Sequence, residues 1–222
     1  MKPTIDAILE EFLHDQESRL APRTVAQYAY ALSYFRLYLE AYWPGHGGQE
    51  YDRITKAGGT YCGTFGPEEL PGAYGEFLGY YMPRKAMCGK QTMRAAATVT
   101  KKLAIWLREK GYVTSVDSAL QRASEAAREL PASLEALRIL EAHAGSYASG
   151  EPSDRIEDHF TVVRLEPGKL WLRPGSYGRK TLGPLLVPRQ ATARLKVGWD
   201  IGGVVERTSR GLRFVELWNI SP

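Results

Sequence analysis

The stretch "LAPRTVAQYAYALSYFRLYLE", residues 20–40, carries four tyrosines, Tyr28, Tyr30, Tyr34 and Tyr38. A tyrosine phenol can attack a phosphodiester, but it needs a base to take its proton and cations to receive the phosphate. No histidine lies in this stretch and no arginine cluster surrounds it, so the tyrosines read as packing residues. His14, His46, His143 and His159 are scattered, and Cys62 and Cys88 are not spaced as a zinc pair. A metal site is therefore not expected, and the cysteines read as reduced structural thiols. The glycines of residues 44–66 match neither a Walker loop nor a dinucleotide fingerprint. Asp158, Glu166 and Asp200 have no evident catalytic partner in the sequence. No cofactor and no enzymatic activity are expected.

Charge offers more. Residues 84–110 hold eight Lys and Arg against the single acid Glu109, while residues 114–151 are net acidic and residues 152–222 net basic again. Clustering of this kind is the footprint of a polyanion. At about 100° per residue, Lys90, Arg94, Lys101 and Arg108 fall within roughly 40° of one another on a helix. Met93, Ala96, Thr100, Leu103, Trp106 and Leu107 fall on the far side. A solvated helix face usually intersperses glutamates with its lysines, and this stripe contains none. It reads as a phosphate-contacting face, with an ordinary exposed face as the competing reading. Arg23 and Thr24 open another helix, where backbone N–H groups already favour anions. The competing reading there is a local Thr24 cap beside a solvated Arg23.

The elements that must position these residues follow from periodicity. Apolar residues at helical spacing predict helices over residues 4–19 and 22–43, the second begun by Pro22 and stopped at Pro44-Gly45. Its seam is Val25, Tyr28, Leu32, Phe35, Leu39 and Tyr42. Residues 44–66 read as a long glycine-rich loop. Further helices are expected over 67–82, 90–110, 115–129 and 132–145, the last two separated at Pro131. After "GSYASGEPSD" the period changes. Strands are expected at 160–165, 170–173, 181–187, 204–207 and 212–218, with turns at 166–169 and 208–211. Short strands packed into so few residues predict a small β-barrel. Arg173, Arg179, Lys180, Arg189, Arg194 and Lys196 lie near its expected loops or strand ends. Its tryptophans, Trp171, Trp199 and Trp218, either fill the core or offer stacking platforms.

"FLHDQESRLAPRTVAQYAYALSYFRLYLE" resembles the opening of the core-binding domain of tyrosine recombinases, the phage-type integrases. "KQTMRAAATVTKKLAIWLREKGYV" is similar to the last long helix of the same domain, and together the likeness covers residues 4–113. The resemblance implies a SAM-like four-helix bundle that clamps duplex DNA. It puts Arg23 and Thr24 at the matching turn, and Lys90, Thr92, Arg94 and Lys101 on the matching helix. The family would continue into a catalytic domain with a His-x-x-Arg motif, yet no histidine here is followed by arginine at that spacing.

The expected architecture is thus α+β: a SAM-like helical bundle over 1–113, linking helices over 114–150, and a small SH3-like β-barrel over 151–222. The expected function is non-catalytic binding of double-stranded DNA through Arg23, Thr24, Lys90, Thr92, Arg94, Lys101 and Arg108. An accessory role in DNA recombination or integration of a mobile element would follow from the family. The alternatives are an interaction module that pairs with a recombinase or with itself, and an enzyme assembled from the glycine-rich loop and the barrel. No apolar run reaches the roughly 18 residues of a membrane span, and the N-terminus has no signal-peptide-like apolar region. A cytoplasmic protein with no membrane partner is expected.

Overall fold

The computed structural model describes residues 3–43, 49–86, 88–144, 155–176 and 180–222. Helix α1 (Ile5–Glu17) starts at Thr4, whose hydroxyl accepts from the Ala7 N–H at 3.3 Å, and buries Ile5, Ile8, Leu9 and Phe12. Helix α2 (Pro22–Ala41) has Pro22 in its first turn, where a missing N–H costs nothing. It buries Tyr28, Leu32, Phe35 and Leu39 along the expected seam, together with Ala31 and Tyr38. The stop signal Pro44-Gly45 and His46 lie outside the described residues.

The expected loop is partly helical. Helix α3 runs Gln49–Lys56 and helix α4 runs Tyr61–Thr64. The anchor of α4 is distant in sequence: the Glu40 carboxylate accepts the N–H groups of Tyr61 (2.8 Å) and Cys62 (2.9 Å). Thr60 supplies the local cap, accepting from Gly63 N–H at 3.1 Å. Tyr61 is buried, stacks on Phe65 with ring centres 4.3 Å apart, and receives the Trp43 indole N–H at 2.9 Å. Side-chain bonding and burial thus fix a segment that composition marks as loop.

From Pro67 to Arg84 the chain is helical throughout. A short 3₁₀ turn (Pro67–Glu69) leads into α5 (Leu70–Glu76), a π-turn (Phe77–Tyr81) and α6 (Met82–Arg84). Pro71 is accommodated in the first turn of α5. Phe77 packs on Phe35 and Tyr38, at 4.8 and 5.6 Å between ring centres. Helix α7 (Lys90–Glu109) buries Met93, Ala96, Thr100, Leu103, Trp106 and Leu107. It ends in a Schellman motif: Gly111 adopts φ +75°, and the Tyr112 and Gly111 N–H groups reach the carbonyls of Leu107 and Arg108.

Helix α8 (Asp117–Ala144) passes through Pro131 without the expected break. A proline removes one ladder bond, but burial on both sides carries the helix across. Leu130 is fully buried, and Ala136 and Leu140 belong to the barrel core. The described chain divides into two compact units, one of residues 1–82 and 86–127 and one of residues 83–85 and 128–222, so the division falls within α8. The glycine-, serine- and proline-rich stretch around residue 150, where the sequence changes period, lies outside the described residues.

The second unit contains a closed five-stranded barrel in the order β1-β2-β3-β5-β4. Its strands are β1 (Arg155–Glu166), β2 (Lys169–Pro174), β3 (Leu182–Leu186), β4 (Asp200–Thr208) and β5 (Gly211–Ser221). All pairings are antiparallel except β3 with β5, which run parallel where Leu185 faces Leu212. Both expected turns are present, with Gly168 at φ +81° and Gly211 at φ +116°. Helix α9 (Arg189–Thr192) lies between β3 and β4. Phe160, Val162, Leu172, Leu185, Ile201, Val205, Phe214 and Ile220 fill the interior by the two-residue alternation of strands. The structure is therefore mixed: helices N-terminal, a closed barrel C-terminal.

Candidate nucleic-acid interface

Helix α7 exposes Arg94, Lys101 and Arg108 on the side away from its buried face. Seven residues of helix separate each from the next, about 10 Å along the axis. Among the described residues none of the three forms an ion pair or side-chain hydrogen bond. Lys90, also in the expected stripe, is half-buried and already engaged.

Lys85 is also exposed, and three further basic residues of this stretch are committed elsewhere. Lys110 pairs with Asp15 (3.0 Å) and Glu11 (3.1 Å) on α1. Lys102 sits over the Tyr28 ring, 5.2 Å from its centre. Arg84 belongs to the barrel unit, where it donates to Ser221 (2.8 Å) and pairs with Asp200 (3.1 Å). Charge counting along the sequence therefore overstates the free positive charge of this stretch, which on α7 comes down to Arg94, Lys101 and Arg108.

Arg23 and Thr92 come together, at a place distinct from the stripe. The first turns of α2 and α7 line an open groove of about 340 Å³ with Ala26 and Ala95 among its small residues. Arg23, Gln27 and Tyr30 reach it from α2, and Gln91 and Thr92 from α7. On the wheel of α7, Thr92 lies about 160° from Arg94, so groove and stripe occupy different flanks of the helix. Neither helix has a side-chain cap or an acid in its first turn; in α2 Pro22 has no N–H and the Thr24 N–H donates to the Ala21 carbonyl (2.8 Å), so the N–H groups open to an anion lie mainly at the start of α7. Thr24 is half-buried and is not a cap, since Ala21 holds that position without a side-chain bond.

Gln27, Tyr30 and Gln91 are groove residues that the sequence reading missed. The small residues Ala26 and Ala95 that open the groove are visible in the sequence, but only the pairing of α2 with α7 gives them meaning. Tyr30 is 54% exposed and so is not a simple packing residue. Its hydroxyl lies 3.1 Å from that of Tyr34, and the two rings meet edge to face with centres 5.3 Å apart. The hydrogen bond with Tyr30, followed by burial, pushes the Tyr34 phenol up to about 12. Tyr38 is raised further by burial. Such phenols stay protonated, which is the wrong state for a nucleophile.

Six of the barrel unit's basic residues are spent internally. Glu206, fully buried on β4, accepts from Arg155 (3.1 Å) and Arg213 (2.7 Å). Arg194 pairs with Glu135 (2.6 Å) and Lys196 with Glu129 (2.8 Å), both acids on α8. Arg164 and Lys169 both meet Glu166. Arg173, Lys180, Arg189, Arg207 and Arg210 remain exposed, and Arg179 lies outside the described residues. The three tryptophans differ. Trp199 is buried in the core, Trp171 is half-buried beneath Arg164, and Trp218 is 36% exposed beside His159.

The barrel carboxylates have partners that the sequence did not reveal. Asp158 accepts from the Ser176 N–H (2.8 Å) and hydroxyl (3.2 Å), and Asp200 from the Thr161 hydroxyl (2.9 Å). Burial and then the charge of Arg84 hold His159 below its ordinary range. Among the described residues no group of three His, Cys, Asp or Glu side chains is placed to hold a metal ion, and no helix is long and apolar enough to cross a membrane. Cys62 and Cys88 are both free thiols. No family model, no curated protein and no solved structure matches the chain.

Proposed function

We propose that the protein is a non-catalytic binder of double-stranded DNA, with its helical unit gripping phosphates through Arg94, Lys101 and Arg108. The observation that carries this reading is three exposed cations on one helix face, none paired among the described residues and no acid interleaved. Arg23 and Thr92 add donors near the starts of α2 and α7 on the same unit. Phosphate-dominated contact gives strong salt dependence and weak sequence preference. The SAM-like character of the bundle, the SH3-like character of the barrel and an accessory role in recombination of a mobile element belong to this proposal through the recombinase resemblance, which is an analogy of sequence pattern. Titration of labelled random duplex DNA at several salt concentrations tests it. Affinity that falls steeply with salt supports the reading, and no binding at low salt refutes it.

A second reading rests on α2. Tyr30, Tyr34 and Leu37 share one face of that helix, and Leu37 is 56% exposed. An apolar strip of this kind suits a protein partner, a recombinase or a second copy of the chain. Concentration-dependent association that Leu37→Asp abolishes would favour it over DNA binding.

A further inference from the structure

We infer that the groove between the first turns of α2 and α7 seats a single unpaired DNA nucleotide, its base against Tyr30 and the two glutamines and its phosphate on Arg23. The inference rests on the DNA-binding reading in that the bound molecule is DNA, and it assigns the groove a role the cationic stripe does not have.

The lining carries it. A phosphate seat needs cations and N–H donors, which Arg23 and the uncapped, acid-free start of α7 provide. The same groove holds more than a phosphate uses. Gln27 and Gln91 bring two primary amides, one from each wall, and among the described residues neither bonds another side chain. A carboxamide presents a donor and an acceptor side by side, the arrangement that pairs with a base edge. Tyr30 adds an exposed ring whose orientation is fixed by its hydroxyl contact and edge-to-face contact with Tyr34. Base-on-aromatic stacking is the usual means of holding an unpaired base.

Shape decides between paired and unpaired DNA. Base edges of a duplex lie recessed in its own grooves and are reached by protruding helices or ribbons. The α2–α7 groove is concave, with Ala26 and Ala95 in its lining, and at about 340 Å³ it falls at the small end of ligand sites, roughly 300–1,000 Å³. A concave site of this size accepts what projects from DNA. An unstacked base attached to its phosphate projects and matches the amides, the ring and the cation together.

The test compares a labelled blunt duplex with the same duplex carrying one unpaired adenine. The parent should bind the bulged duplex about tenfold more tightly, in line with stacking of one base. Tyr30→Ala and Gln91→Ala should each bring that ratio below about twofold, with unchanged circular dichroism and unchanged affinity for the blunt duplex. Equal affinity of the parent for both duplexes, or a preference that survives both substitutions, overturns the inference. If neither duplex binds, the DNA-grip reading fails, and a short single-stranded oligoadenylate decides the groove separately. NMR shifts confined to the Gln27 and Gln91 side-chain amides and Tyr30 would uphold it, and no shifts there would overturn it.

Discussion

Glu206 and Arg213 face each other across β4 and β5, and the buried carboxylate accepts two guanidinium N–H bonds, at 2.7 and 3.0 Å. Arg155 on β1 holds its other oxygen at 3.1 Å, so one charge without exposure is clamped across three adjacent strands. Removing the partners of a buried charge costs roughly 3–5 kcal/mol. Arg155→Met with Arg213→Met should destabilise the barrel by about that much. Adding Glu206→Leu should recover most of the loss, since no orphaned charge remains. Urea unfolding of the double and triple variants checks both statements. A double variant as stable as the parent would show that water already satisfies the carboxylate.

A second expectation concerns acid. The Trp106 indole N–H (2.9 Å) and then Lys110 (3.0 Å) hold the Asp15 carboxyl below the ordinary carboxylate range. A depressed folded pKa means that this contribution to stability is present above the unfolded value, near 3.9, and is lost as pH falls through the folded one. Trp106→Phe should therefore move the Asp15 titration upward, and the acid-induced loss should begin at higher pH. An NMR titration of the Asp15 carboxyl carbon reads this directly. No movement in the variant would contradict the assignment of cause.

Tyrosine chemistry gives a third. With Tyr34 raised to about 12 by its bond with Tyr30 and with burial lifting Tyr38, neither phenol is poised to attack phosphorus. Incubation with a nicked suicide substrate should leave no protein–DNA adduct that survives boiling in detergent. A stable adduct would overturn the non-catalytic proposal.

Several features were legible because they depend on neighbours in sequence. The seam of α2, the two-faced pattern of α7 and the Glu166–Lys169 turn follow from local periods and turn residues. The features that were not legible depend on distant partners. Helix α4 is capped by Glu40, twenty-one residues before Tyr61, so glycine content alone made it a loop. Helix α8 survives Pro131 through burial of Leu130 and Leu140, which no helix propensity records. The stripe could be drawn by angle, but the diversion of Lys110 to Glu11, ninety-nine residues away in sequence, could not. Nor could the groove, which exists only because the beginnings of α2 and α7 lie side by side.

The stripe itself is tested by reversing its charge. Arg94→Glu with Lys101→Glu should leave the fold intact, since exposed substitutions cost within about 0.5 kcal/mol. Affinity for any duplex should fall, and the slope of log affinity against log salt should shrink by roughly 0.9 for each phosphate that the variant no longer neutralises. Arg207→Glu with Arg210→Glu, an equal charge change on exposed barrel residues, should leave the slope close to that of the parent. The decisive measurement is the salt slope of the α7 double variant beside this control. A slope reduced only by the α7 changes is the result expected of a phosphate-gripping stripe. Identical slopes in parent, α7 variant and control would contradict it.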